Sequence, residues 1–90
     1  MSQDLNVDLQ ALKQLISALT QSQTVMSDRF KTLEADWQTC DDSWKGNAKD
    51  KFEKDITPTI ASLRSSLKMG DDALAWLEKF HDLVEEFEQY

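Results

Sequence analysis

Apolar side chains recur through the first half of the chain at steps that alternate between three and four residues. Eleven of the twelve positions in this inner row are apolar, and Gln23 is the polar one. Because such steps keep side chains on one face of an α-helix, the row predicts a single helix from about residue 6 to 43. Gln23 either fixes the register between two paired helices or is solvated and bridged by water. The inner row consists of Leu5, Leu9, Leu12, Ile16, Leu19, Gln23, Met26, Phe30, Leu33, Trp37, Cys40 and Trp44.

The second half repeats this spacing and predicts a second helix from about residue 48 to 88. Its row has a gap at His81, and Pro58 and Gly70 are candidate bends. Gly70 either ends one helix before another begins or lets two helix backbones approach each other. We expect a continuous helix with a bend, because the apolar phase persists across residue 70. The row consists of Phe52, Ile56, Ile60, Leu63, Leu67, Gly70, Leu74, Leu77 and Val84.

Between the two halves, Trp44, Lys45 and Gly46 form a turn signal. Glycine adopts the left-handed backbone that ends helices, and Asn47 is a favourable N-cap for the second helix. The first helix would be about 57 Å long, so its apolar row needs a second rod to cover it. The sequence therefore predicts an all-α fold, an antiparallel two-helix hairpin over residues 1–90 with its turn at 44–46. We expect the Trp44 ring to pack between the helices at the bend.

A further apolar row lies beside the inner row in each helix, at the open end of the hairpin, away from the turn. A helix that pairs with one partner buries one face, so this outer row predicts an interface and the dimerisation of two hairpins into a four-helix bundle. Alternatively, it only widens the core stripe of one helix. The outer row consists of Ala11, Leu15, Ala18, Ser22 and Val25, followed by Met69, Ala73, Trp76, Phe80, Leu83 and Phe87. The predicted partner-binding residues are Leu15, Val25, Met69, Trp76, Phe80, Leu83 and Phe87.

The amino-acid composition excludes several fold classes and several kinds of chemical site. Two glycines and one proline are too few for the turns of an all-β fold. Cys40 and His81 are the single cysteine and histidine, which excludes an internal disulfide and a Cys/His zinc site. We expect Cys40 to be a small apolar residue of the seam, with a reactive thiol or an intermolecular bridge as the alternative. No nucleophile–base pair, phosphate loop or paired carboxylates stand out, so we expect no enzyme, no cofactor and no small-molecule substrate.

The net charge of −7 is concentrated near the end of the chain. Residues 71–90 hold seven acids against one base, Lys79. Such a surface repels phosphates, which argues against nucleic acid and against insertion into anionic membranes. The acids are either a solvated face or a contact for a basic surface. No apolar run approaches the length of a membrane span, and the first ten residues lack the features of a cleaved signal peptide.

With its short length, two long helices and central Trp44-Lys45-Gly46, the chain resembles the WXG-motif family, the early-secreted-antigen-like proteins of type VII secretion. Phe52 stands where such proteins often carry an aromatic residue. The resemblance implies a non-enzymatic hairpin that pairs with itself or with a paralogue in the bacterial cytoplasm. It also implies export without a cleaved leader to the medium or cell surface. Further partners that it implies are a secretion ATPase or a larger toxin.

The resemblance also implies an export signal after the second helix, a tyrosine followed by an acid four residues later. Tyr90 is the last residue of the sequence, so either the chain continues or a partner carries the signal. His81 and Glu85 have the spacing of a related histidine-based signal, although an ordinary exposed helix pair explains them too. A second hypothesis is an intracellular coiled-coil adaptor without an export role.

Overall fold

A computed structural model describes residues 7–88, which form two long helices and no strand. Helix α1 spans Leu9–Ser43 and helix α2 spans Asn47–Glu88. The two pack side by side as a hairpin with principal extents of 66 × 20 × 14 Å. Since one helix with its side chains is about 10–12 Å across, the hairpin is a single layer of two helices. The predicted all-α hairpin is confirmed, whereas its association into a four-helix bundle stays a prediction.

Helix α1 begins later than the sequence pattern suggests. The pattern starts the helix at about residue 6, but Asp8 has an extended backbone, with φ −76° and ψ 102°, and acts as the N-cap of Leu9–Ser43. Its carboxylate Oδ1 accepts a hydrogen bond from the backbone N–H of Ala11 at 3.1 Å. A capping aspartate satisfies one of the free N–H groups of the first turn, so it sets the boundary. Leu5, the first member of the inner row, lies outside the described residues.

The turn is built on an extended residue followed by a glycine with positive φ. Trp44 is extended, and its N–H donates to the carbonyl of Cys40 at 2.7 Å. Gly46 has φ 108°, a conformation that favours glycine. The carbonyl of Gly46 accepts the first helical hydrogen bond of α2, from the N–H of Asp50 at 3.2 Å. Asn47 is therefore not the N-cap that its residue type suggests. It is the first helical residue, and Gly46 takes the capping position.

Replacing Gly46 with alanine is expected to lower the free energy of unfolding by about 1–2 kcal/mol, because φ 108° is strained for a residue with a Cβ. A Cβ there would meet no atom within 4 Å, so the backbone alone accounts for the cost. Asn47→Ala is the matched control and should change stability by less than about 0.5 kcal/mol, because Asn47 does not cap the helix. Urea denaturation measures both, and a larger loss for Asn47→Ala would contradict this geometry.

Helix α2 continues through both candidate bends. Pro58 lies within Asn47–Glu88, and the helix is also unbroken at Gly70. Proline has no N–H to donate to the carbonyl four residues earlier. At the next position the Thr59 hydroxyl donates to the carbonyl of Asp55 at 2.9 Å. The continuous helix keeps the inner and outer rows of α2 in phase along its whole length.

The seam between the helices buries few side chains completely. Among the described residues the buried apolar side chains are Leu12, Ile60 and Val84, and Gln23 is buried with them. Met26, Leu33 and Leu63, which the spacing places in the same seam, are 36–47% exposed. Cys40 is exposed as well, which corrects its expected place in the seam. Two helices in contact bury only a narrow strip of each, so residues at the edge of the inner row stay open to solvent.

Candidate protein-protein interface

A buried polar contact sets the alignment of the two helices. The Gln23 side-chain amide donates from Nε2 to the carbonyl of Leu67 and to Oδ1 of Asp71, both at 2.9 Å. We call this contact the polar clasp. Gln23 is 7% exposed, so the solvated alternative does not hold, and its amide is bonded directly to α2. A buried amide with both donors engaged favours one register, because a shift along the helix would leave it unsatisfied.

Gly70 makes room for the polar clasp. A Cβ built on Gly70 would lie 2.6 Å from Nε2 of Gln23, far inside van der Waals contact. Of the two sequence interpretations of Gly70, the structure supports close approach of the helices. Gln23 of α1 therefore lies beside residues 67–71 of α2, and the two outer rows come to lie along the same half of the hairpin.

Near the turn, charged and aromatic contacts join the helices. Lys49 pairs with Asp41 at 2.8 Å and with Glu53 at 3.4 Å. The hydrogen bond with Asp41 raises the pKa of the Lys49 ammonium above its usual value. Desolvation opposes this effect, and the hydrogen bond with Glu53 adds to it. The ring of Phe52 contacts Trp37 edge-on, with centroids 5.4 Å apart, and contacts Trp44 in a tilted arrangement at 5.8 Å.

One broad side of the hairpin, the polar face, is lined by charged and hydroxyl side chains. At the open end it holds a shallow depression between the helices, and a second depression lies beside the polar clasp. The residues of the first are Lys13, Ile16, Ser17, Glu78, His81 and Asp82. The residues of the second are Thr20, Gln23, Thr24, Ser27, Asp28, Asp71 and Leu74. Neither depression is lined by any of the exposed large apolar side chains of the described residues.

The opposite side carries an apolar groove between the helices near the middle of the hairpin. This central groove has a volume of about 260 Å³. Its residues are Met26, Arg29, Phe30, Leu33, Leu63, Ser66 and Leu67. The aliphatic and aromatic side chains form the floor and walls, and Arg29 is the charged group. A groove of this size and composition accommodates a large apolar side chain.

The outer row continues from the central groove toward the open end. Apart from Phe80, its large members are more than half exposed, from 53% at Leu15 to 68% at Met69. Phe80 is partly buried, and its ring stacks on that of Trp76, with centroids 5.2 Å apart and planes 12° apart. The other members that are more than half exposed are Val25, Trp76, Leu83 and Phe87.

The groove and the outer row share one face of the hairpin. Ser66, which lines the groove, is followed at seven-residue steps by Ala73, Phe80 and Phe87. A step of seven residues is nearly two helical turns, so these positions lie on one side of α2. From Leu63 to Phe87 this surface is about 36 Å long. We call it the apolar face.

The structure places His81 differently from the exposed pair that its spacing suggests. Its side chain is 13% exposed, and Nδ1 lies 3.2 Å from Oδ1 of the neighbouring Asp82. The ring lines the depression that Lys13 and Ile16 of α1 also form, so it lies toward the other helix. Glu85 is partly buried, one turn further along. Tyr90, the other residue considered for an export signal, lies outside the described residues.

No protein-family model matches this sequence, and no curated protein or solved structure is significantly similar to it. The resemblance to the WXG-motif family therefore rests on the residues and stays a prediction. Within residues 7–88, neither helix has a stretch apolar enough to cross a membrane. Over the same range, no three His, Cys, Asp or Glu side chains are grouped as metal ligands would be.

Trp44 is more exposed than the sequence interpretation requires. We expected its ring between the helices, but it is 39% exposed and lies against Phe52. The reason is local, since the extended Trp44 follows the end of α1 and its side chain leaves the helical phase of the inner row. The residue of this region that lies in the seam is Trp37, which is partly buried.

Trp44→Ala is accordingly expected to cost about 1–2 kcal/mol of unfolding free energy, less than the 3–5 kcal/mol typical of a buried tryptophan. Trp37→Ala is the matched comparison and should cost more, because it removes a more buried ring that contacts the same Phe52. Chemical denaturation followed by circular dichroism measures both. A greater loss for Trp44→Ala would show that the ring is buried in solution.

Proposed function

We propose that this chain is a WXG-type helical hairpin that works by binding another helical protein along its apolar face. In this role it is a substrate or co-secreted partner of type VII secretion. The observation that carries the proposal is the apolar face itself, a continuous surface on a hairpin only 14 Å thick. Exposed apolar surface of this extent is characteristic of binding sites.

The energy available from this surface supports association. Burial of apolar area contributes about 25 cal/mol per Å², and a large aromatic side chain buries roughly 150–250 Å². Covering Trp76, Phe87 and the aliphatic side chains beside them would contribute on the order of 10 kcal/mol before the costs of association. The isolated hairpin completely buries only a few side chains in its described part, so a partner that covers the apolar face would complete its core.

The turn supports the WXG relation within this proposal. The family resemblance requires a break between two helices at the tripeptide, and Gly46 takes a positive φ between α1 and α2. Partners of the matching kind are a second copy, a paralogous hairpin, a larger toxin with a helical segment or a secretion ATPase. The proposed site of the protein is the bacterial cytoplasm before export and the medium or cell surface afterwards.

Export is the test of this function. The tagged chain is expressed in the bacterium that encodes it, with its type VII ATPase intact or deleted, and culture medium is probed for the chain and for a cytoplasmic marker. We expect the chain in the medium of the intact strain, without the marker, and its loss on deletion of the ATPase. Retention in the cells of both strains would refute export and favour an intracellular adaptor.

A further inference from the structure

We infer that the apolar face joins two copies of this chain in a staggered two-fold dimer, in which the open halves overlap and the two turns point away from each other. The inference rests on the proposed binding role of the apolar face, and it specifies the partner and its register. Two observations carry it. Asp8 and Arg29 bear opposite charges at equal distances from the middle of α1's outer row, and the same register closes the central groove.

Opposite charges stand at the two ends of one line of side chains on α1, Asp8 at the open end and Arg29 beside the central groove. The line runs between them in seven-residue steps, through Leu15 and Ser22, so it follows one side of the helix. The Asp8 carboxylate accepts from the N–H of Ala11, a member of the outer row, and Arg29 lines the central groove. Both charged residues are exposed, and neither forms an ion pair within residues 7–88.

Two-fold symmetry makes this line complementary to itself, because in such a dimer the same patch meets itself. The axis crosses α1 midway between Asp8 and Arg29, near residues 18 and 19, so Arg29 of each copy lies over Asp8 of the other. Asp8 caps α1 through Oδ1, which leaves Oδ2 to accept from the guanidinium. The two ion pairs form about 32 Å apart, one at each end of the contact, and they fix its register.

The same register closes the central groove. Because the polar clasp aligns Gln23 with Gly70, the axis crosses α2 near residues 74 and 75. Leu83 of one copy then lies over Ser66 of the other, which is part of the α2 wall of the groove. Leu83 is 60% exposed in the single hairpin, and the groove volume of about 260 Å³ accommodates its side chain. Each copy therefore fills the groove of the other.

The overlap is large enough for a stable dimer. The apolar face is about 36 Å long, and the hairpin is 20 Å wide. The contact therefore covers about 700 Å² of each copy, close to the roughly 800 Å² per partner of a typical stable interface. It covers Leu15, Met69 and Trp76, which are more than half exposed in the single hairpin.

Two other two-fold arrangements place acids unfavourably. On the apolar side, seven-residue steps toward the turn lead from Arg29 to Asp36 and from Met69 to Asp55, and both acids are exposed. In a parallel dimer, Asp36 would approach Asp55 of the second copy, within the Debye length of about 8 Å over which like charges repel. In an antiparallel dimer with full overlap, both acids would be buried against the apolar outer row. The staggered overlap leaves them in solvent.

The test exchanges the two charges and measures self-association of the full chain by sedimentation. Arg29→Glu should weaken the dimer at least about tenfold, because it places an acid over Asp8 of the second copy. Adding Asp8→Lys to the same chain should restore affinity to within about threefold of the unmodified chain. Lys31→Glu is the matched control and should have little effect, because seven-residue steps connect Lys31 with Thr24 and Ser17 of the polar face.

Equal weakening by Arg29→Glu and Lys31→Glu would overturn the inference, as would failure of Asp8→Lys to rescue a chain whose helicity is intact by circular dichroism. If the loss of the cap unfolds that chain, Asp8→Asn decides, because asparagine also caps helices but has no charge. It should weaken the dimer about threefold or more, and an unchanged affinity would contradict the ion pair.

The length of the dimer tests the stagger independently. Small-angle X-ray scattering should give a maximum dimension of about 100 Å, because two hairpins of 66 Å overlap only over their open halves. A dimer close to 66 Å long would be fully overlapped and would overturn the inference.

Export and self-association separate this inference from the proposed function. A chain that stays monomeric alone, but is exported with a paralogous hairpin, would overturn the inference and leave the proposed function intact. Conversely, a dimer that is weakened by Arg29→Glu and rescued by Asp8→Lys, in a chain that is never exported, would support the inferred dimer and refute the secretion role.

Discussion

Gly70→Ala is expected to change stability in opposite directions depending on the residue at position 23. With Gln23 present, the new Cβ occupies the space of the side-chain amide, displaces it and breaks its bonds to Leu67 and Asp71. The expected loss is about 1–3 kcal/mol of unfolding free energy, because a buried amide left without partners is costly. With Gln23→Ala, the space is vacant, and alanine should stabilise the helix by up to about 1 kcal/mol over glycine.

Gln23→Ala alone should cost about 2 kcal/mol, since it removes two hydrogen bonds and leaves a gap beside Gly70. The four chains form a double-mutant cycle, measured by urea denaturation with circular dichroism. Thr24→Ala is a suitable control, because its hydroxyl bonds only within α1, to the carbonyl of Thr20. If Gly70→Ala stabilised the chain in both backgrounds, the polar clasp would not be formed in solution, and the alignment of the two helices would have another origin.

Trp76→Gln is expected to weaken binding of a helical partner by about 2–4 kcal/mol, roughly 30- to 1000-fold, while the chain keeps its helicity. The ring is 62% exposed and stacks on Phe80, so its loss removes a large contact area for a partner but little from the hairpin itself. Sedimentation of the chain, alone and mixed with a paralogous hairpin, measures the first effect, and far-ultraviolet circular dichroism measures the second.

Ser17→Gln is the matched control for Trp76→Gln, because it places the same side chain on the polar face. It should leave binding unchanged. An equal loss of affinity in the two variants would mean that the apolar face is not the binding surface. A large loss of helicity in Trp76→Gln would instead show that the tryptophan supports the fold of the single chain. That result would favour the alternative in which the outer row only widens the core stripe of one helix.

The two helices and the turn between them could be predicted from local sequence patterns. The three–four spacing of apolar residues specifies helices, and the scarcity of glycine and proline leaves one place for a turn. The predicted ends of the helices were less accurate than the helices themselves, because helix capping depends on backbone geometry. Asp8 starts α1 later than expected, and Gly46 caps α2 in place of Asn47. At the turn, the backbone of Trp44 is itself extended, so its side chain leaves the helical phase of the inner row.

The residues of the candidate interface could be predicted from the sequence, but its shape could not. Spacing alone identified the outer row, and its large side chains are exposed in the hairpin, except for the partly buried Phe80. Spacing did not reveal the central groove, because Met26, Leu33 and Leu63 were assigned to a closed seam. Their position at the edge of that seam was a usable signal, since an edge residue is covered only if a third helix lies beside it. His81 could not be placed, because a gap in a row does not say which way the ring turns.

The sequence by itself determined that this protein is two long helices with a break at Gly46, and that each helix carries more apolar surface than one partner can cover. These properties depend on residue spacing and on local backbone preferences, which act over a few residues. Only the tertiary structure decided which side chains meet: the clasp of Gln23 over Gly70, the inward His81, the open groove and the exposed Trp44. Such contacts depend on the relative rotation and offset of the two helices, which arise from packing between residues far apart in the chain.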